Sequence, residues 1–268
     1  MNGARAHTLP PSNTSPLRAA PWHFQSDGVR WRCFDLDNAE LRDRSNLLSS
    51  EEHARAARFR FEIDRDRYIA AHVALRISLG EVIKQAPDQI VFSIGEHGKP
   101  DLPDIGAWTT FNMSHSGNIG IIAVAPRDSF GAIGVDVERV TPIDELLSLA
   151  RENFTSEEYD ALAKAADDDA LRLFLRCWTR KEACLKALGT GLTLPANIFT
   201  AGLNSDTAKV SIDIEGKPQH LRVRTLFENE TCIAALSWRQ ASGTYADAGP
   251  QKSSTGRPAQ ELRTSSWI

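Results

Sequence analysis

Residues 79–94 read LGEVIKQAPDQIVFSI and residues 188–201 read LGTGLTLPANIFTA. Each stretch leaves the end of a helix-like segment, passes a proline (Pro87 or Pro195) and enters a run that reads as a strand. A Gly-Lys-Pro turn follows in both cases, Gly98-Lys99-Pro100 and Gly216-Lys217-Pro218. An apolar strand comes next, IGIIAVA at 119–125 and TCIAALSW at 231–238. The same order of elements twice predicts an α+β fold built by duplication, with a cleft between two similar halves as the natural ligand site. Spacings differ between the copies, so the echo is one of order rather than of period.

Working outward, the halves span 21–130 and 131–240. The flanks, 1–20 and 241–268, are rich in small and polar residues and lack apolar periodicity; they are expected to be disordered tails. In the first half, Ser49-Ser50-Glu51-Glu52 opens a helix, and a longer helix runs over about 64–84. Strands are expected at 89–94, 108–113 and 119–125, with Ser114–Asn118 as a polar connection. The second half starts with a strand, AIGVDVERV at 132–140. Pro142 introduces a helix, Thr155-Ser156-Glu157-Glu158 caps another, and a long helix covers about 169–188, ended by Gly189 to Gly191. Strands are expected at 197–202, 208–214, 220–227 and 231–238.

The chain has 268 residues and a formal net charge of -4, which argues against a general nucleic-acid binder. No stretch approaches the ~20 apolar residues needed to span a membrane, and MNGARAHTLPPSNTSP lacks the apolar region of a signal peptide. Cys33, Cys177, Cys184 and Cys232 form no C-x-x-C pair with partner histidines, so they read as reduced thiols of a cytoplasmic protein rather than a zinc site.

Gly134-Val135-Asp136-Val137-Glu138 carries the first chemical signal. Side chains alternate on a strand, so Asp136 and Glu138 share a face, about 7 Å apart along the backbone, and can converge on a hard cation. A half-buried strand with its polar face in water explains the pair equally. The second signal lies in Trp178-Thr-Arg-Lys181-Glu182-Ala-Cys-Leu185-Lys186. Apolar positions 171, 174, 178, 185 and 188 make a helical stripe, and Lys181 interrupts it, with Glu182 beside it. A charge there must be paired or face a ligand. Glu182 and Lys186 share a helix face, which also suits an exposed ion pair, and Trp178 reads as core. Lys99, Ser114 and His115 fall in expected loops, where they supply either phosphate-binding groups or a solvated surface. Arg55, Arg58, Arg60, Arg65, Arg67 and Arg76 make 55–76 basic, interleaved with acids as on a solvated helix face.

Taken in order, ARFRF (57–61), GKP (98–100), NMSHSG (112–117), GVDVE (134–138), FTSEEY (154–159) and WTRKEACLKALGTGL (178–192) resemble the 4'-phosphopantetheinyl transferase superfamily, in its larger, surfactin-synthetase-activating type. The resemblance implies a pseudo-twofold monomer that transfers the phosphopantetheine arm of coenzyme A to a serine of an apo acyl or peptidyl carrier protein, releasing 3',5'-ADP. It implies Mg²⁺, with Mn²⁺ as an alternative, held by Asp136, Glu138 and Glu158 with the pyrophosphate, which Lys181 and Lys186 would also contact. Lys99, Pro100, Ser114 and His115 would hold the adenosine end. Arg55 and Arg67 would add charge there, where the family often has lysines. Glu182 is the candidate general base, with Glu158 acting through a metal-bound water as the alternative; Lys186 would stabilise or protonate the leaving group. Two rival readings are a binding module without transfer and a Mg²⁺-dependent phosphohydrolase. The first is disfavoured by the intact acidic and basic groups, the second by the lack of a P-loop.

Overall fold

The computed structural model describes residues 21–24, 28–95, 97–103, 106–190, 193–203 and 207–240; both expected tails and Gly191 lie outside the described residues. The first half contains β1 (His23–Phe24), β2 (Arg30–Asp35), α1 (Ala39–Arg42), α2 (Ser50–Ala56), α3 (Glu62–Ile83), β3 (Ser93–Ile94), β4 (Pro100–Asp101), β5 (Thr109–Ser116) and β6 (Ile119–Pro126). The second contains β7 (Phe130–Arg139), α4 (Leu146–Asn153), α5 (Ser156–Ala163), α6 (Asp167–Leu188), β8 (Thr207–Ile214), β9 (Lys217–Glu228) and β10 (Cys232–Gln240).

Local chemistry explains the helix boundaries. Capping boxes start two helices: Ser49 with Glu52 opens α2, and Thr155 with Glu158 opens α5. Gly189, in the left-handed region at φ 76°, closes α6 by donating its N–H to Leu185 O. The two long helices, α3 and α6, each have 22 residues.

The strands form two four-stranded antiparallel sheets, ordered β1-β2-β6-β5 and β7-β10-β9-β8. In both, the last strand of the half lies between that half's opening long strand and its own predecessor: β6 pairs with β2 and β5, β10 with β7 and β9. β6 is buried on both faces. Ile122 and Val124 pack with α3 residues such as Leu75 and Leu79, whereas Ile121, Ala123 and Ala125 pack against Ile133, Val135 and Val137 of β7. The second core therefore joins the two halves, because the period-2 alternation of β6 serves both at once.

Two sequence expectations fail and one strand goes unread, each for a physical reason. The 114–116 segment is strand rather than loop, because β5 continues to Ser116 in register with β6. Residues 197–202 are not a strand. The carbonyls of Ala196 and Phe199 accept from Lys181 Nζ, and the N–H groups of Ala201 and Gly202 donate to Glu158, so a buried ion pair holds the groups a ladder would use. β2 carries no sequence expectation. Its alternation is masked by Arg32, which is buried and bonded to Ser78 and Glu81 of α3.

The close approach of α6 to β7 depends on Gly134. A Cβ built there would lie 2.1 Å from Ala183 O and 2.3 Å from Ala187 N. Gly134, Asp136 and Glu138 alternate onto one face, so the missing side chain lets the helix settle against that face. Replacing Gly134 by Ala should destabilise the protein by about 1–3 kcal/mol or more through overpacking against a rigid helix backbone, read as a lower denaturant midpoint; an unchanged midpoint would show that α6 shifts freely.

Candidate active site

Alternate residues of β5 stitch the two halves together along the edge of β7. Asn112 Oδ1 accepts from Val135 N at 2.8 Å, and Ser114 Oγ donates to Asp136 Oδ1 at 2.8 Å. Ser116 Oγ donates to Glu138 Oε2 at 2.7 Å and accepts from Arg139 N at 3.2 Å. Side chains thus take the place of a backbone ladder at this strand edge. Asn112 and Ser116 belong to NMSHSG but escape notice in the sequence. The signal that finds them is the spacing Asn-x-Ser-x-Ser, which puts three polar side chains on one face of a strand.

Helix α6 adds a cation to this seam. Lys186 Nζ donates to Asp136 Oδ1 at 2.7 Å and to Ser114 Oγ at 2.8 Å, and all three residues are buried. Oδ1 of Asp136 therefore has two donors, while its Oδ2, also buried, has no hydrogen-bond partner among the described residues. Glu182 stands one helical turn before Lys186, on the same face of α6. Burial first and the neighbouring Asp136 charge second raise the carboxyls of Glu138 and Glu182 to about 7, against the opposing charge of Lys186. The structure thus brings Asp136, Glu182, Lys186 and Ser114, all buried, together with the half-buried Glu138. No three His, Cys, Asp or Glu side chains among the described residues already stand in a metal-binding array.

Glu158 and Lys181 belong elsewhere, which corrects the expectation that they serve the metal and the pyrophosphate. Lys181 Nζ pairs with Glu158 Oε2 at 2.8 Å, with both side chains almost fully buried. The ammonium also donates to Ala196 O and Phe199 O and lies 4.6 Å from the centre of the Phe199 ring. Glu158 Oε2 accepts from Thr155 N, and its Oε1 accepts from Ala201 N and Gly202 N. Burial opposes ionisation of Glu158, but Lys181 and the surrounding donors hold its carboxyl below the ordinary range. Both oxygens of Glu158 thus already accept from protein donors. The interruption of the α6 stripe by Lys181 is answered by pairing. Trp178 packs with the core of the α4–α6 region, stacked 5.8 Å from Phe174.

The first-half residues divide similarly. His115 is only partly buried; burial lowers it below its ordinary value, and the charges of Lys186 and Arg67 add to this while Asp136 opposes. Arg67 is bidentate to Asp37, at 2.8 and 3.1 Å. Arg55 is exposed and lies 6.0 Å from the centre of the Tyr68 ring, which stacks on buried His72. Pro100 is buried in β4 opposite Ile94. Lys99 Nζ donates to Ile133 O at 2.8 Å and to Lys186 O at 2.7 Å.

Two outcomes follow from this electrostatic arrangement. Glu158→Gln leaves the Lys181 charge buried and should cost about 3–5 kcal/mol, seen as a lower denaturant midpoint; a loss below ~1 kcal/mol would show that the pair is relaxed or hydrated. In metal-free protein, an unfolded glutamate ionises near 4.5, whereas Glu182 in the folded chain keeps its proton to about 7. Between those values the unfolded state releases a proton that the folded state holds, so this group's contribution to stability falls as pH rises. His72, pushed down by burial to about 3, contributes the opposite slope. The difference between wild type and Glu182→Gln isolates the carboxylate: the variant should gain on wild type from pH 4.5 to 7, measured by urea midpoints in chelator. A constant difference would place Glu182 in water.

Comparisons with known proteins give the family of the chain. The model of the 4'-phosphopantetheinyl transferase superfamily matches residues 132–236, and that of the 4'-phosphopantetheinyl transferase N-terminal region matches residues 31–127. The chain is 36% identical over 216 residues to the 4'-phosphopantetheinyl transferase HetI of Nostoc sp., covering 79% of this chain and 88% of that protein. It is 31% identical over 180 residues to the 4'-phosphopantetheinyl transferase Sfp of Bacillus subtilis, covering 67% of this chain and 77% of that one. A phosphopantetheinyl transferase of Thraustochytrium sp. is 29% identical over 252 residues, covering 88% and 83% of the respective chains. The chain belongs to the 4'-phosphopantetheinyl transferase superfamily, in its Sfp-like type, the enzymes that move the phosphopantetheine arm of coenzyme A onto a serine of a carrier protein.

Proposed function

We propose that this chain modifies an apo acyl or peptidyl carrier protein at the Asp136–Glu138–Glu182–Lys186 group, with coenzyme A lying between the halves. The observation that carries this is the seam itself, where a basic helix residue, two buried carboxylates and the half-buried Glu138 meet residues of the other half. One chain supplies both sides of the seam, which supports a monomer. The shared order of strands and long helices supports a pseudo-twofold duplication. Four buried free thiols, Cys33, Cys177, Cys184 and Cys232, suit a reducing cytoplasm.

The residues fit a divalent cation. Asp136 Oδ2 is a buried acceptor without a partner among the described residues, and Glu138 and Glu182 add oxygen donors of the hard type that Mg²⁺ takes. Asp136 and Glu138 would hold the ion, and Glu182, the third carboxylate beside them, takes the place expected for Glu158. Bound there, Mg²⁺ would neutralise diphosphate charge.

The protein's own part follows from its charges. Lys186, held over Asp136 by Ser114, presents its ammonium where the diphosphate charge develops as 3',5'-ADP departs. Glu182 accepts the proton of the attacking carrier serine. His115, Arg67 and Arg55 supply donors and charge toward the adenosine end on the α3 side of β5.

The decisive experiment incubates the protein with coenzyme A, Mg²⁺ and a panel of apo carrier proteins, followed by intact mass. A gain of ~340 Da on one serine is expected, the mass of the transferred arm. No gain on any carrier with coenzyme A still bound would favour a binding module. In the same assay Glu182→Gln should keep coenzyme A affinity and lose about 10²–10⁴-fold in turnover; near-normal turnover would remove Glu182 from the base role.

A further inference from the structure

The two Gly-Lys-Pro turns are alike in sequence and unlike in place. Lys217 is exposed at the β8–β9 hairpin, whereas Lys99 reaches out of the first half and buries its amine against the second. Both of its recorded acceptors are main-chain carbonyls at positions that matter. Ile133 O immediately precedes the Gly134–Glu138 run on β7. Lys186 O belongs to the last turn of α6, where carbonyls lack partners from their own helix. An ammonium there also lies at the negative end of the helix dipole. The residue whose carbonyl it grips is the one whose side chain holds Asp136 and Ser114. The methylene stem packs against the helix end: a Cβ added at Gly189 would lie 3.7 Å from Lys99 Cδ.

We propose that Lys99 is a positioning residue that clamps the end of α6 to β7, fixing Lys186 over Asp136, rather than a contact for coenzyme A. The clamp joins the halves at the strand that carries the carboxylates and at the helix turn that carries the lysine. It acts on the chemistry only through Lys186. Burial lowers the Lys99 amine to about 7, opposed by Asp101 and reinforced by Arg127, Arg239 and Lys186, which suits a main-chain hydrogen-bond donor better than a phosphate counter-charge.

The inference rests on the transfer reading for its kinetic arm and stands apart from it in a second arm. Lys99→Met keeps the stem and removes the donors. With carrier protein saturating, kcat should fall about tenfold or more while KM for coenzyme A stays within about threefold, as expected for a misplaced group rather than a lost binding contact. Lys99→Gln, which keeps two N–H donors, should recover most of the turnover, and it serves as the test if the methionine variant does not fold. A rise in KM with kcat unchanged would overturn the proposal in favour of coenzyme A contact. In the second arm, native-state hydrogen exchange of Lys99→Met should quicken at the amides of 183–189 at least tenfold while the start of α6 stays at the wild-type rate. Unchanged exchange at 183–189 would overturn the clamp. If the wild-type chain modifies no carrier, the transfer reading falls and the exchange arm still decides the role of Lys99.

Discussion

Lys186 reaches from the last turn of α6 to a single carboxylate oxygen on β7, and Ser114 of the other half bonds to both partners. Taking two charges out of water is expensive, and their attraction offsets the cost only with good geometry and further hydrogen bonds. Here the geometry depends on three features of the chain itself: Gly134 admits the helix, Ser114 completes the bonding of Asp136, and the odd positions of β6 and β7 pack the sheets together. Loss of any of them would weaken the pairing or the hydrogen bonding of the two buried charges. The carboxylate that binds the helix through Oδ1 leaves its buried Oδ2 without a hydrogen-bond partner among the described residues.

A second buried pair, Glu158 with Lys181, contrasts with it. Both pairs join a lysine of α6 to an acid on another element, and both are nearly dry. The lysines are five residues apart, so they leave the helix on different faces. Glu158 has donors on both oxygens and Lys181 has three oxygen acceptors, so that pair is closed. The Asp136 pair is open by one oxygen and bordered by two carboxyls that burial keeps from ionising readily. The closed pair shapes the 196–202 segment; the open one keeps one acceptor oxygen without a hydrogen-bond partner among the described residues.

Much of the layout was legible in the residues. The capping boxes at Ser49 and Thr155 and the long helix ending at Gly189 are local signals, and the observed elements follow them within a few residues. The alternation of Asp136 and Glu138 with Val135 and Val137 is likewise local, so their shared face could be read directly. The 197–202 run and Arg32 misled because buried charges took over backbone groups or masked an alternating pattern.

By itself, the sequence determined the families of elements, their repeated order and the residue types able to handle a charged diphosphate, because these depend on neighbours a few positions away. Only the tertiary structure decided which acid accompanies Asp136 and Glu138, and which of two Gly-Lys-Pro lysines becomes buried. Glu158 and Glu182 are equally acidic on paper, as Lys99 and Lys217 are equally basic. Their roles separate because long-range packing fills the oxygens of Glu158 with donors and leaves Glu182 beside like charges, while it sets Lys99 against a helix end and Lys217 in water.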